Sequence, residues 1–329
     1  MSQVRAPITI ANSGAVWRPG TPTDSKAYGR ALLALAEADP RIVCLGADLT
    51  GPTETDLFRD RIPDRFFNIG IAEANLMCVA SGMARSGDIP FVNTFGVFAT
   101  RRSFDQVTLQ IAYPRANVKL VGFMPGLTSP GGPTHQATDD IALMRALPGM
   151  VVVEPACATH VAPLLAQLVA HDGPAYMRIK RGDLPKLFTA ESLPPLGKAQ
   201  IVRPGRDGWI IASGVMVTLA LEALDALAEQ GIQAGLVNVT SPKPLDTDLV
   251  RSLAAEGKPL LVAENHSIVG GLGSAVAEVI AEAGIATRFA RLGVDDVFAE
   301  GAGAPYLFQT YGLSPAAITR RFAALARPG

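Results

Sequence analysis

From Lys26 to Ile179 the chain alternates helix-length runs with short apolar runs, and after a proline-rich break the same alternation begins again. Few architectures accept that pattern. Short apolar strands separated by helices require crossover connections, and crossovers place strands side by side in parallel with helices covering both faces. The run Lys26–Ala38 reads as a helix ended by Asp39-Pro40, followed by a strand at Ile42–Gly46 and another at Phe66–Gly70. A helix from Glu73 to Met83 precedes a strand at Pro90–Asn93, a helix at Val97–Ala112 and a strand at Val118–Phe123. Helices at Thr138–Leu147 and Thr159–Ala170 alternate with strands at Val151–Glu154 and Ala175–Ile179. The segment Glu191–Gly197, with Pro194 and Pro195 in succession, reads as a linker. Beyond it come strands at Trp209–Ala212, Gly235–Asn238 and Pro259–Ala263, with helices at Val217–Glu229, around Leu249 and at Gly273–Ala283. The expected fold is therefore α/β, two domains each built on a mostly parallel sheet flanked by helices. The expected division is an arm over 1–22, a first domain over 23–190, the linker over 191–197 and a second domain over 198–329.

Composition narrows the function classes. With 18% charged residues, a net charge of −1 and dispersed Lys and Arg, the chain has no electrostatic footprint for nucleic acid. Its 48% apolar content and mean hydropathy of +0.25 suit ample cores and burial against a partner. Trp209–Leu221 is uncharged, but it is shorter than the ~18 residues a membrane span needs and is broken by Ser213-Gly214, so it reads as a buried strand followed by a helix. The start has no basic and apolar leader, and Cys44, Cys78 and Cys157 lack metal-ligand spacing, so they read as reduced core residues of a cytoplasmic protein.

The residues able to do chemistry cluster after strands. Glu73 opens a helix behind Gly70-Ile71-Ala72, either as a first-turn acid facing the helix dipole or as a carboxylate at the ligand-binding edge of a parallel sheet. In the second role it can share a proton with a ligand nitrogen. Phe95 and Phe98, just past Val92-Asn93-Thr94, are either core or a platform for a flat heterocycle. His135 ends the shaped loop Gly131-Gly132-Pro133-Thr134, from which a histidine can act on substrate. Lys180 and Arg181 at a strand end are a solvated pair or an anion site. His160 and His171 read as surface residues, His266 as a residue that faces an interface, and Gly270-Gly271-Leu272-Gly273 lacks the third glycine of a dinucleotide fingerprint.

Taken in order, Ala47-Asp48-Leu49, Gly70-Ile71-Ala72-Glu73, Thr94-Phe95 with Phe98, Gly132-Pro133-Thr134-His135-Gln136 and Arg181-Gly182-Asp183-Leu184-Pro185 resemble the transketolase family. The likeness covers the pyrimidine-binding and C-terminal domains, from about Lys26 onward. It implies thiamine diphosphate as cofactor, bound between two chains. Glu73 would then hydrogen-bond the pyrimidine N1′ and promote the proton transfer that activates the thiazolium C2. Phe95, Phe98 and Arg101 would line the pyrimidine pocket, with Asp48 and Leu49 approaching the cofactor from the facing subunit. His135 would hydrogen-bond the reacting two-carbon fragment and Arg181 the substrate phosphate.

The resemblance also implies an incomplete chain. The family holds Mg²⁺ and the diphosphate with a Gly-Asp-Gly and a later Asn; the pairs Gly87-Asp88 and Gly182-Asp183 lead instead into Ile-Pro and Leu-Pro. The expectation is one subunit of a split enzyme, a transferase of aldehyde or ketone residues active only with an N-terminal subunit that carries the diphosphate and Mg²⁺ domain, in a heterotetramer. Asp24-Ser25 replaces the family's Thr-Arg, Phe123 its loop histidine, Gly131 the acid before GPTH, and Arg101 its Tyr or Gly. With substrate-contact positions changed and cofactor positions kept, the expected ketose is branched, deoxy or otherwise modified. Two other readings share the layout: the β subunit of a 2-oxoacid dehydrogenase, and a non-catalytic homologue that only binds a partner.

Overall fold

The computed structural model describes residues 14–327, so the first thirteen residues of the expected arm lie outside the described region. The first part of the chain contributes strands β1 (Thr23–Asp24), β2 (Ile42–Gly46), β3 (Phe66–Asn68), β4 (Ile89–Phe95), β5 (Lys119–Phe123), β6 (Val151–Val153), β7 (Ala175–Ile179) and β8 (Leu184–Pro185). The second contributes β9 (Gln200–Arg203), β10 (Trp209–Ala212), β11 (Gly235–Asn238), β12 (Leu260–Ser267) and β13 (Phe289–Val294). Two domains with helix-flanked sheets result, as the alternation requires.

The first sheet has six parallel strands in the order β3-β2-β4-β5-β7-β6. Every residue of β2, β4, β5 and β7 is buried, which is why these strands read as continuous apolar runs and not as alternating ones. Leu32, Phe91 and Leu165 pack on one face, and Leu76, Leu120 and Tyr176 on the other. From β2 the chain turns outward to β3, then crosses back to β4 and continues to β5 on the opposite side. The crevice beyond the carboxyl ends of β2 and β4 is thus the point where strand order reverses, the place where open α/β sheets bind ligands.

The second sheet runs β13-β12-β10-β11-β9, with only β9 antiparallel. Strand β12 runs beyond the expected Ala263 because Glu264, Asn265 and His266 continue it as buried polar residues that interrupt the apolar pattern.

The two domains are joined along a continuous seam. The segment Thr240–Lys243 lies beside β6, the outermost strand of the first sheet: Val152 N donates to Lys243 O at 2.7 Å and Glu154 N to Thr240 O at 2.8 Å. Behind it, the fully buried Arg178 guanidinium on β7 reaches Asp140 (3.0 Å), Glu154 (3.4 Å) and the Asn265 carbonyl (3.0 Å). Ser213 of the second domain donates to Glu154 at 2.7 Å. The arm's Trp17 packs in the second domain's core, and the strand that follows the arm, β1, pairs with β8.

Several expectations change. His160 is fully buried, stacked on Phe188 and bonded to Ser192, not a surface residue. Cys78 is exposed, whereas Cys44 and Cys157 are buried. His266 faces the seam between domains, where its Nε2 accepts from Ala142 N. The expected helix Val97–Ala112 is present but not regular, because Phe98–Arg102 and Val107–Ala112 form wide turns with hydrogen bonds such as Tyr113 N to Thr108 O (2.9 Å).

Gly122 on β5 marks a tight point of the first sheet's face. A Cβ there would sit 2.5 Å from the Tyr176 hydroxyl and 2.9 Å from Gly96 Cα. Tyr176 cannot yield easily, since its hydroxyl donates to Asp140 at 2.6 Å. Gly122→Ala is expected to destabilise the chain by about 1–3 kcal/mol, checked by chemical denaturation against wild type; an unchanged midpoint would contradict this packing.

Candidate active site

Glu73 is the first residue of the helix Glu73–Arg85 and is only 3% exposed. It stands there because β3 ends at Asn68 and the Gly70 turn (φ 77°) delivers the helix start at the carboxyl edge of the sheet. Asp48 follows β2 at the same edge in a left-handed conformation (φ 57°), which a short polar side chain tolerates. Asn68 fixes it by accepting from Asp48 N at 3.0 Å. Leu49 packs against the first domain's core.

Phe95 is the last residue of β4, and Phe98 begins the wide turn that follows. Their rings stack with centroids 5.9 Å apart and planes 27° apart. His135 approaches both edge-on, 5.3 Å from Phe98 and 6.3 Å from Phe95. Its Nδ1 is held by the Thr134 hydroxyl at 2.8 Å. Gly131 allows this pose, because a Cβ there would lie 2.8 Å from His135 Cβ. An acid at position 131 would push the histidine away.

Two adjacent arginines take different roles. Arg101 pairs with Asp139 at 2.9 and 3.0 Å and donates to the Pro133 and Gln136 carbonyls at 3.3 Å, so it braces the His135 loop. Arg102, which sequence reading passes over, donates from Nη1 to both oxygens of Glu73 at 3.0 and 3.1 Å. Its Cζ lies 4.1 Å from the centre of the Phe98 ring. Glu73, Arg102, Phe98, Phe95 and His135 therefore form one unbroken chain of contacts.

Arg181 lines a cavity of about 390 Å³ with Ser25, Lys26, Glu54, Lys180 and Trp17. Glu73, Phe95, Phe98 and His135 are not among its walls. Lys180 is buried against the Arg181 and Asp183 carbonyls (2.8 and 3.3 Å), and burial pulls its ammonium down to about 8. Glu54, also missed from sequence, accepts from Gly29 N at 3.0 Å, and burial pushes its carboxyl upward. Lys26, Lys180 and Arg181 meet two acids in the lining, the buried Glu54 and the exposed Asp183, and Lys26 is also paired with Asp56 at 2.5 Å. The basic excess that is left is small and suits a single anionic group. Among the described residues no cluster of three or more His, Cys, Asp or Glu side chains is placed to hold a metal ion. No described helix is long and apolar enough to cross a membrane.

Comparison with known proteins matches both domains of the chain. The family model for the transketolase pyrimidine binding domain matches residues 21–186, and that for the transketolase C-terminal domain matches residues 197–318. The chain is 43% identical over 300 residues to the transketolase family protein y4mN of Sinorhizobium fredii, covering 90% of this chain and 87% of the relative. It is 42% identical over 294 residues to the 6-deoxy-6-sulfo-D-fructose transketolase subunit SqwH of a Clostridium species, covering 89% and 91%. A solved split-gene transketolase, described as an inactive β4 tetramer, superposes with a TM-score of 0.84 at 40% identity, covering 92% of this chain and 98% of that one.

Proposed function

The chain belongs to the transketolase family, and on that premise we propose that it is the C-terminal subunit of a split, thiamine diphosphate-dependent transketolase that transfers a two-carbon ketol unit from a ketose to an aldose. The observation that carries this reading is the contiguous set of buried carboxylate, stacked ring pair and edge-on histidine at the point where strand order reverses.

The donor set suits the pyrimidine half of the cofactor. Glu73 offers a carboxylate for a ring nitrogen, and Phe95 with Phe98 offers ring faces for stacking. When bound, the cofactor supplies the carbanion chemistry. This chain's part is proton handling and orientation: Glu73 holds the proton at the pyrimidine N1′, and the phenylalanines fix the plane of the ring. His135, steadied by Thr134 and the Arg101 brace, hydrogen-bonds the oxygens of the transferred fragment. Asp48 and Leu49 would approach the cofactor from the facing subunit. The diphosphate and its Mg²⁺ would be held by the partner, an N-terminal subunit, in a heterotetramer. Beside Arg101 and Asp139, a cavity of about 340 Å³ is edged by the exposed Val297 (53%) and Phe298 (81%). Ile71, two residues before Glu73, is 77% exposed. Large apolar side chains left bare beside a reaction site are what a partner covers.

The substrate reading rests on the second cavity. Arg181, Lys26 and Lys180 suit the anionic end of a sugar, a phosphate or a sulfonate, and the sulfo-sugar named for the Clostridium relative fits that chemistry. The test is co-expression with the candidate N-terminal subunit, calorimetry of thiamine diphosphate with Mg²⁺, and then a ketose screen. Binding and turnover by the pair alone support the proposal; turnover by this chain alone sinks the split-site reading. Within that pair, Arg181→Ala is expected to raise KM for anionic ketoses about tenfold or more, the value of one charge-assisted hydrogen bond. Uncharged analogues should change less than about twofold; an equal loss for both classes would remove Arg181 from anion binding.

A further inference from the structure

Arg102 is bound to the one carboxylate on which the proposed chemistry depends. A single guanidinium nitrogen takes both Glu73 oxygens, and the same group lies over Phe98, the ring that His135 approaches edge-on. A guanidinium is a planar N–C–N group that donates to carboxylates and stacks on aromatic faces. An aminopyrimidine presents a planar N–C–N edge of the same kind, and the reading given above sets it against the same carboxylate and the same rings. Each Glu73 oxygen already accepts from Arg102 and the guanidinium covers the Phe98 face, so a heterocycle seated on that carboxylate and that ring takes the space the guanidinium fills.

We infer that Arg102 is an intramolecular stand-in for the pyrimidine, seated on Glu73 and Phe98 in the isolated chain and displaced when the heterocycle binds. The inference rests on Glu73 being the pyrimidine's anchor. Its geometry favours release: Glu73 is buried at 3%, but the Arg102 side chain is 49% exposed and can leave into solvent without losing hydration. The buried carboxylate would be left uncompensated if the guanidinium simply left, so release is coupled to arrival of a ligand that takes over the hydrogen bonding of Glu73. The backbone that presents Arg102 is the wide turn Phe98–Arg102, a local distortion of the kind found at functional sites. In a regular helix Arg101, three residues after Phe98, would share its face as readily as Arg102 does. Here Arg101 is held away by Asp139 and only Arg102 reaches the carboxylate. The contact makes the isolated chain a poor receptor for the heterocycle and protects the buried acid until loading occurs.

The test is calorimetry on the full-length chain with 4-amino-5-hydroxymethyl-2-methylpyrimidine as probe. Arg102→Ala is expected to bind it at least tenfold more tightly than wild type. Arg102→Lys, which keeps the charge but loses the planar fork, should fall between the two. Added methylguanidinium should compete with the probe in Arg102→Ala and have little effect on wild type. Probe affinity in Arg102→Ala equal to or below that of wild type, with Glu73→Gln weakening both, would overturn the stand-in while leaving Glu73 as anchor. Probe binding to Arg102→Ala that is indifferent to Glu73→Gln would overturn the anchor itself. Absence of any binding to Arg102→Ala would do the same.

Discussion

Glu73→Gln, reconstituted with the N-terminal subunit, is expected to lower ketol transfer by about a thousandfold while assembly persists. The substitution preserves side-chain volume at a position that is 3% exposed, so the helix start and the neighbouring rings stay in place. What is lost is an acid able to hold a proton at the ring nitrogen, and no other carboxylate stands in the same contact set: Asp139 is committed to Arg101 and Asp140 to Arg178 and Tyr176. Initial rates with a saturating ketose would measure the loss, and size-exclusion chromatography of the pair would measure assembly. Rates within tenfold of wild type would remove Glu73 from the mechanism; loss of assembly would make it a structural residue.

The second large effect concerns stability. Arg178→Met is expected to destabilise the chain by about 3–5 kcal/mol, because removing one member of a buried ion cluster leaves the others uncompensated. Burial alone would pull the Arg178 guanidinium down, but Asp140 and Glu154 outweigh it, and the net displacement is upward. Without that cation two carboxyl groups, 0% and 3% exposed in their side chains, face each other's neighbourhood with Ser213 and Tyr176 as their remaining donors. A fall in melting temperature of about 10 °C is expected for a chain of this size. Replacing Asp140 with Asn and Glu154 with Gln in the same background should restore most of it. A drop of less than about 2 °C in the single variant would show that the cluster does not secure the seam.

Much of this architecture was legible because both of its signals are local. Ile42–Gly46 and Ala175–Ile179 are apolar runs of strand length, and parallel strands buried on both faces leave that mark on sequence. Glu73, Phe95 and His135 stood out because each follows a strand end or a glycine-rich turn, where side chains converge on a sheet edge. Arg102 did not stand out. Its meeting with Glu73 depends on a wide turn, and the pattern of Val97–Ala112 reads as an ordinary helix. The seam residues were equally hidden: Arg178 interrupts a strand pattern as any exposed charge would, and only the second domain's Asn265 and Ser213 reveal that it is enclosed. His160 reads as a surface residue for the same reason, since the Phe188 and Ser192 that cover it lie about thirty residues away in sequence.

The segment Thr240–Lys243 beside β6 bears on which pieces of this protein can exist alone. An outermost strand with free amide and carbonyl groups is a template for pairing with other chains, and proteins that leave one bare tend to aggregate. Here the cover comes from the far domain, more than eighty residues downstream of the strand it protects. A fragment ending near the linker would carry an unpaired edge together with an Arg178–Asp140–Glu154 cluster stripped of its cover and of its Asn265 and Ser213 partners, so it should accumulate as insoluble material. The smallest unit that recombination could move between genes intact is therefore the two domains together.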